Sequence, residues 1–417
     1  MRVAIAGGGL GGLAAALFLQ RAGVRDVRVY ERQLALEEIG AGVQIAPNAF
    51  RLLARLGLAR ELRHVGVPFE VPWEFRRWED GRVLFSQAFG AAGEARYGAP
   101  YLAIHRADLL SVLADAIPPG VIVTGARVVG VEPAPAASAA APRPASAPPA
   151  ARDPRRGPVR LRFAHGGLSA PFDAVVGADG IHSVLRSLVH GDEAPAFTGL
   201  AAYRALVPAA EAPDFARRPV CSIWLGPRRH FVHYPVSGGR RVNLVTANPA
   251  GDWREESWTA PGRVEDFRAE YAGWDARVLA LIEAARETRR YAFYAREPIT
   301  RWAAGRVALL GDAAHPMLPF FAQGAGQAIE DAAVLAQCLA GAVDVEAALR
   351  RYEAIRAPRA TRVQRMSGER REHHHMPDGP EQVARDAALA SQDPLGHNAW
   401  LYGHDVETEL ERLRVDL

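Results

Sequence analysis

Along the first part of the chain, short runs of aliphatic residues alternate with longer stretches of helical period. Arg2–Ala6 (RVAIA) and Val27–Tyr30 read as buried strands on either side of an Ala/Leu-rich helix. Pro47 introduces a helix over Asn48–Leu56, Tyr101–His105 predicts a strand, and Asp108–Ala116 a helix after it. Val121–Thr124 and Arg127–Glu132 predict two more strands. Pro133–Pro158 then breaks the pattern, being nearly all Pro, Ala, Ser and Arg. It cannot bury apolar surface, and the expectation is a disordered insertion joining two strands of a hairpin. Arg160–Phe163 and Phe172–Val176 resume the sheet. From about Leu200 the pattern becomes β-rich, with strands expected at Tyr203–Val207, Val220–Leu225, Phe231–Pro235 and Val242–Thr246. Arg306–Leu310 returns to the first sheet. Helices follow, one from Gly326 to Ala340 and another over Val345–Gln364. The expected organisation is α/β: a Rossmann-like unit (residues 1–70, 100–190 and 300–340) is interleaved with a helix-covered sheet unit (71–99 and 191–299), and residues 341–417 form a C-terminal helical region.

Three glycine-marked turns sit on this frame. Gly7, Gly9 and Gly12 form G-x-G-x-x-G between the first strand and its helix, and the second strand ends at Glu31, about twenty residues later. That is the dinucleotide fingerprint in its context: the glycines permit a tight turn and close approach of a pyrophosphate, and the acid accepts from a ribose hydroxyl. Five glycines within positions 7–12 make the same stretch a poor secretory signal. At Asp173–Arg186 (DAVVGADGIHSVLR) a strand runs into Asp179-Gly180 and then a helix carrying Ser183 and Arg186. At Gly311–Ala332 (GDAAHPMLPFFAQGAGQAIEDA) a strand stops at Gly311-Asp312, a Pro-punctuated loop follows, and Gly324 and Gly326 open a helix. An Asp that can bind hydroxyls beside free helix N–H groups suits an anionic or electron-rich ligand.

Composition mainly excludes. With 417 residues and 49% apolar content, the chain can bury a large core. A formal net charge of +3 gives no electrostatic case for a nucleic-acid or membrane partner. There is no Lys anywhere, which rules out Schiff-base enzymes, lysine-dependent P-loop ATPases and lysine-dependent flavin halogenases. The two cysteines, Cys221 and Cys338, define neither a metal site nor a disulfide framework, and a reduced cytoplasmic setting is expected. The run His373-His374-His375 follows a charged GERRE stretch and lacks spaced Asp, Glu or Cys partners, so no metal is expected there. The tryptophans, Trp73 and Trp78 among them, read as packing residues.

Taken together, the ordered trio resembles the single-component FAD-dependent aromatic hydroxylases, the group A flavoprotein monooxygenases, and especially their salicylate and 3-hydroxybenzoate hydroxylase branch. GAGVQIAPNAFRLLARLGL (Gly40–Leu58), HRADLL (His105–Leu110) and DGPEQVARDAALA (Asp378–Ala390) extend the likeness over nearly the whole chain. The resemblance implies tightly bound FAD, NADH or NADPH as transient co-substrate, O2, and hydroxylation of a small phenolic acid through a flavin C4a-hydroperoxide. It implies that Gly7, Gly9, Gly12, Glu31, Arg32, Arg106, Asp179, Gly311, Asp312, Gly324, Ala325 and Gly326 meet the cofactor, with Asp312 on the ribityl chain. Pro316 and Pro319 would fix the loop beside the isoalloxazine ring, and Gln323 would hydrogen-bond substrate. A phenol is activated by losing its proton, which a neutral His can take near pH 7. His230 and Tyr234, four apart on a strand, share a face while His233 points oppositely. The likeness makes His230 the base or phenol-orienting group and Tyr234 its hydrogen-bond partner, with His315 a weaker candidate. A substrate carboxylate would need an Arg, and Arg204 and Arg229 are both open to that role. The alternatives are a non-oxygenating FAD oxidoreductase, a non-catalytic flavin-binding module, and a biosynthetic hydroxylase of a larger aromatic product. Either a monomer or a homodimer fits.

Overall fold

Parallel strands with Val, Ala and Ile at almost every position are buried on both faces, and here they form the centre of the molecule. The structure, a computed structural model, describes residues 1–36, 41–134 and 157–415. A six-stranded sheet runs in the order Ala303–Ala304, Val307–Leu309, Ala174–Gly177, Arg2–Ala6, Asp26–Tyr30, Ile122–Val123. All its pairings are parallel except the first. Helix Leu10–Arg21 packs on helix Gly324–Leu339 beside this sheet, and both are apolar almost all round. The first glycine-marked turn, the Asp179-Gly180 turn and the Gly311 turn thereby lie at the carboxyl ends of three consecutive strands, Arg2–Ala6, Ala174–Gly177 and Val307–Leu309, the crevice where doubly wound sheets take their ligands.

The second sheet has eight strands, in the order Pro261–Gly262, Thr288–Ala295, Ala196–Pro208, Arg241–Pro249, Arg229–Val236, Val220–Gly226, Val71–Arg77, Val83–Ser86. It is antiparallel apart from one parallel pair, Val220–Gly226 with Val71–Arg77. The period of two sorts its side chains. Phe231 packs with Trp224, Phe267 and Tyr271 beneath the helices Val264–Glu270 and Ala276–Glu283. Val232 and Tyr234 join Phe69, Tyr101 and Phe321 on the opposite face, toward the six-stranded sheet unit. Gly42 lies against that face. A Cβ there would come within 2.5 Å of the Tyr234 ring, so only glycine lets the strand Gly42–Ile45 approach so closely.

The C-terminal part is helical. Val345–His374 is a single helix of 30 residues that continues through Pro358, followed by Pro380–Ala390, Ala399–Tyr402 and Val406–Val415. Tyr402 is buried and accepts a 2.9 Å hydrogen bond from Trp73 Nε1, tying this region to the eight-stranded sheet. Val128–Pro133 and Val159–Phe163 pair as an antiparallel hairpin. The Pro/Ala-rich stretch between them, the expected disordered insertion, lies outside the described residues over 135–156. No helix among the described residues is long and apolar enough to cross a membrane.

Candidate active site

At the nucleotide end, the three fingerprint glycines do different work. Gly7 has φ +108°, and a Cβ there would sit 2.3 Å from the Ala178 carbonyl oxygen; at Gly12 it would sit 2.0 Å from the Gly7 carbonyl. These two are required by the protein's own packing. Around Gly9 a Cβ would meet nothing within 4 Å, which leaves backbone facing open space where the fingerprint brings a pyrophosphate. Glu31 accepts from the Gly8 amide at 2.7 Å and from the Gln33 amide at 2.8 Å, so its carboxylate is held at the lip of the same turn. Arg32 beside it is exposed. Asp179 follows the neighbouring strand. Its Oδ2 accepts from the Val184 amide at 2.9 Å, while Oδ1 is buried with no hydrogen-bond partner among the described residues. Burial pushes its carboxyl above the usual range, against the hydrogen bonds from Ser183 and Val184. An orphaned buried acceptor on the strand turn that packs against Gly7 fits a ligand rich in hydroxyls, as FAD is.

The Gly-Asp turn is clamped from behind. Gly311 takes φ +61°, and its amide donates to Asp331 Oδ2 at 3.0 Å. The same oxygen lies 2.6 Å from His315 Nε2. Arg356 donates to Asp331 Oδ1 at 2.8 Å and to Glu330 at 2.7 Å, and Arg359 adds a second contact to Glu330. Glu330, Asp331 and Arg356 are at most 1% exposed. Burial pushes both carboxyls up, but Arg359 and Arg356 around Glu330, and His315 and Arg356 around Asp331, hold them below the usual carboxylate range. From the other side, buried Arg186 donates to the carbonyls of Ala313 and Ala314. Asp312, by contrast, is exposed, as is Pro319, which starts the short turn Pro319–Phe321. Ala322 closes that turn at φ +51°, a left-handed conformation uncommon for a residue with a Cβ. No side chain caps the helix opening at Gly324, so its first N–H groups, at half-buried Gly324 and Ala325 and buried Gly326, are left for a ligand. Gln323 is buried, and its Oε1 accepts from Asn48 Nδ2 at 3.2 Å, within the network behind the loop. His315 is in that network as well.

The eight-stranded sheet supplies the opposite wall. His230 is 5% exposed, with its ring edge-to-face on Phe320 at 5.1 Å, which sets it beside the Pro319 turn. Burial and nearby His375 hold its pKa well below 6.5, so it is a neutral imidazole at pH 7. Tyr234, two side chains along the same face, is buried against Phe69, and its hydroxyl is pushed above the ordinary tyrosine value. Arg204 is on this wall too, its charge acting on Tyr234. Its guanidinium lies 4.4 Å from the Trp258 ring centroid and 4.6 Å from that of Tyr291. Arg204 Nε and the Tyr291 hydroxyl are buried without a hydrogen-bond partner among the described residues. Arg106, which opens the helix Arg106–Asp115, is close enough to oppose the charge on Arg204. Arg229 is on the other face, over Tyr271 and 3.8 Å from Glu270, and is taken out of the site by both contacts. His233 is on that face as well, against Phe215 and Trp224.

Sequence reasoning missed Asn48, Glu330, Asp331 and Arg356. A Glu-Asp pair inside an otherwise apolar helix was the available signal, since buried acids need cations. It also set aside the histidine run, one member of which meets His230: His375 Nε2 lies 2.7 Å from His230 Nδ1. Among the described residues there is no cluster suited to a metal ion.

A nucleotide crevice, a clamped Gly-Asp loop and a facing sheet wall with a neutral imidazole define a flavin-dependent hydroxylase. The FAD binding domain family matches residues 1–114 and 164–367. The chain belongs to the FAD-dependent aromatic monooxygenases of that family. It is 43% identical over 406 residues to 3-amino-4-hydroxybenzoate 2-monooxygenase PtnB3 of Streptomyces platensis, covering 97% of this chain and 96% of that one. It is 37% identical to 6-hydroxynicotinate 3-monooxygenase of Bordetella bronchiseptica, over 88% of this chain and 90% of the relative. With 3-hydroxybenzoate 6-hydroxylase 1 of Aquipseudomonas alcaligenes it shares 34% identity, over 97% and 98%. Among solved structures, a salicylate hydroxylase substrate complex superposes with a TM-score of 0.78 at 27% identity, covering 98% of this chain and 97% of that one. Klebsiella pneumoniae HpxO complexed with FAD and uric acid gives the same TM-score and identity.

Proposed function

We propose that this enzyme uses NADH or NADPH and O2 to hydroxylate a one-ring aromatic acid bearing a ring hydroxyl, of the 3-amino-4-hydroxybenzoate or hydroxybenzoate kind. The observation that carries the reading is one sheet face presenting both a neutral imidazole, His230, and a half-buried arginine, Arg204, whose Nε is buried and unpartnered and which forms no ion pair among the described residues. A ligand answering both has an acidic O–H near one end and a carboxylate at the other. The relatives' substrates, as their names give them, are of that type.

When bound, FAD supplies the activated oxygen; this chain supplies the positions. Gly7, Gly9, Gly12, Glu31, Arg32, Arg106 and Asp179 would hold its nucleotide and pyrophosphate part, and Asp312 its ribityl chain. Gly311, Gly324, Ala325 and Gly326 would lie along the ring, with Pro319 closing the loop beside it. Arg204, its charge spread between Trp258 and Tyr291, pairs with the carboxylate and sets the ring's orientation. His230 takes the proton of the ring hydroxyl, raising electron density at the ortho and para carbons. Tyr234 hydrogen-bonds the same oxygen. Gln323 acts one step back, steadying the helix end. A monomer or homodimer in the cytoplasm is the simplest setting.

The test is a panel of phenolic and heteroaromatic acids, including 3-amino-4-hydroxybenzoate, 3-hydroxybenzoate, salicylate and 6-hydroxynicotinate, with NADH oxidation, O2 uptake and product mass followed together. Matched stoichiometry with gain of one oxygen, or its replacement of CO2, supports the reading. NADH oxidation that no aromatic acid stimulates rejects it.

A further inference from the structure

A phenolic proton passed to His230 has to leave again, and His230 is sealed in. Its backbone carbonyl accepts from the Tyr271 hydroxyl at 3.0 Å, its ring edge is covered by Phe320, and only 5% of its surface is exposed. The only hydrogen bond its ring makes among the described residues runs from Nδ1 to His375 Nε2, 2.7 Å away, which leaves Nε2 for the substrate. His375 ends the long helix Val345–His374, is half-buried rather than sealed, and is fixed by its amide on the Arg371 carbonyl and its own carbonyl on the Arg228 amide, each at 3.0 Å. It therefore bridges a closed wall and the outside.

Resting on the proposed reading that His230 deprotonates the substrate, we propose that His230 and His375 form a two-imidazole relay carrying that proton from the ring hydroxyl to solvent. The steps balance with the rings neutral at start and finish. His230 Nε2 gains the substrate proton while its Nδ1–H passes to His375 Nε2. His375 then releases the proton on its own Nδ1 to water. Both rings end as the other tautomer, and the reverse hop resets them when the product oxygen is reprotonated.

The surroundings favour passage over storage. The ionisable groups facing His230 are His374, whose ring is 5.3 Å away, and His375; Arg229 is its strand neighbour. Those around His375 are Arg371 and Arg229, and burial with these cations lowers its pKa to about 4. Among the described residues no carboxylate acts on either ring in a way that would trap an imidazolium. Held so far from a phenol's proton affinity, neither imidazole can keep the proton, and without an exit the transfer from substrate would reverse.

The test uses FAD-loaded protein and 4-hydroxy-3-nitrobenzoate, a phenolic acid whose phenolate absorbs in the visible. Rapid mixing reports binding through the flavin spectrum and deprotonation through the phenolate band. His375→Gln keeps a side chain that can hydrogen-bond His230 but cannot pass a proton on. It is expected to bind FAD and ligand within about threefold of the parent and to form phenolate at least tenfold more slowly, with the phase accelerated by added imidazole. His375→Asn, too short to reach, should show the same slowing without depending on the fold of one variant. Phenolate formation as fast in both variants as in the parent, with the same pH profile, overturns the relay. Failure of the parent itself to ionise the ligand sinks the reading of His230, and the relay with it. Slow phenolate formation that imidazole does not restore assigns His375 a purely architectural part and also overturns the relay.

Discussion

Replacing Arg204 with Gln removes the cation proposed to pair with a substrate carboxylate while keeping polar bulk between Trp258 and Tyr291. The magnitude follows from the site. A carboxylate about 4 Å from a guanidinium attracts it by roughly 4 kcal/mol at an effective dielectric near 20. Desolvation takes back part of this, and hydrogen bonds to charged groups net about 1.5–3 kcal/mol. Arg204→Gln should therefore weaken binding of a hydroxybenzoic acid by roughly 10- to 150-fold in Kd. Titrating the FAD-loaded protein and following the flavin absorbance measures this directly. The decisive comparison is with the corresponding carboxamide, which the parent should bind poorly and the variant about as well as it binds the acid. The resulting double-mutant cycle isolates the carboxylate–Arg204 coupling. If acid and amide lose affinity equally on substitution, Arg204 is a packing residue and the ligand's charge is read elsewhere.

Four other outcomes are expected. Arg356→Met removes the cation that Glu330 and Asp331 share in the core and should cost about 3–5 kcal/mol of stability, read from denaturant unfolding of the FAD-free protein. Gly9→Val should fold with a near-parental melting temperature yet stay colourless after reconstitution, whereas Gly12→Ala should lower the melting temperature itself. His230→Gln should retain flavin and lose at least tenfold in substrate-stimulated NADH oxidation; parental turnover across pH would remove His230 from the chemistry. His233 is buried with both ring nitrogens unpartnered among the described residues, and burial beside Arg76 and Arg277 lowers its pKa from 6.5 to about 3. A depressed histidine is neutral in the fold and takes up a proton on unfolding, so its stabilisation is complete above pH 6.5 and lost as pH falls toward 3. Between pH 6 and 4, His233→Phe should flatten the dependence of unfolding free energy on pH by about one proton per molecule.

The parts legible in the sequence are those that local geometry dictates. A left-handed turn at Gly7 and a helix crowded at Gly12 admit nothing but glycine, so the crevice is written where it occurs. The strand period likewise separates His230 and Tyr234 from His233 without any tertiary knowledge. What stayed hidden depends on partners far along the chain. Arg204 and Arg229 look alike until Glu270 is found beside one and not the other. The histidine run, polar and flanked by charge, gives no local hint that His375 reaches a residue 145 positions earlier. Asp331 and Arg356 belong to different helices, and only their packing makes a clamp of them.

The 30-residue helix has a bearing on how this enzyme can be re-engineered. Arg356 near its middle grips Glu330 and Asp331 behind the Gly311 turn, and His375 just past its end touches the His230 imidazole. At 1.5 Å per residue these stations are roughly 28 Å apart on one stiff rod. Sliding that rod by a single residue would unseat both at once. Chimeras that splice a homologue's tail onto this body should therefore be joined after residue 375, because a junction between 356 and 375 exchanges one station while keeping the other, and one before 356 replaces both.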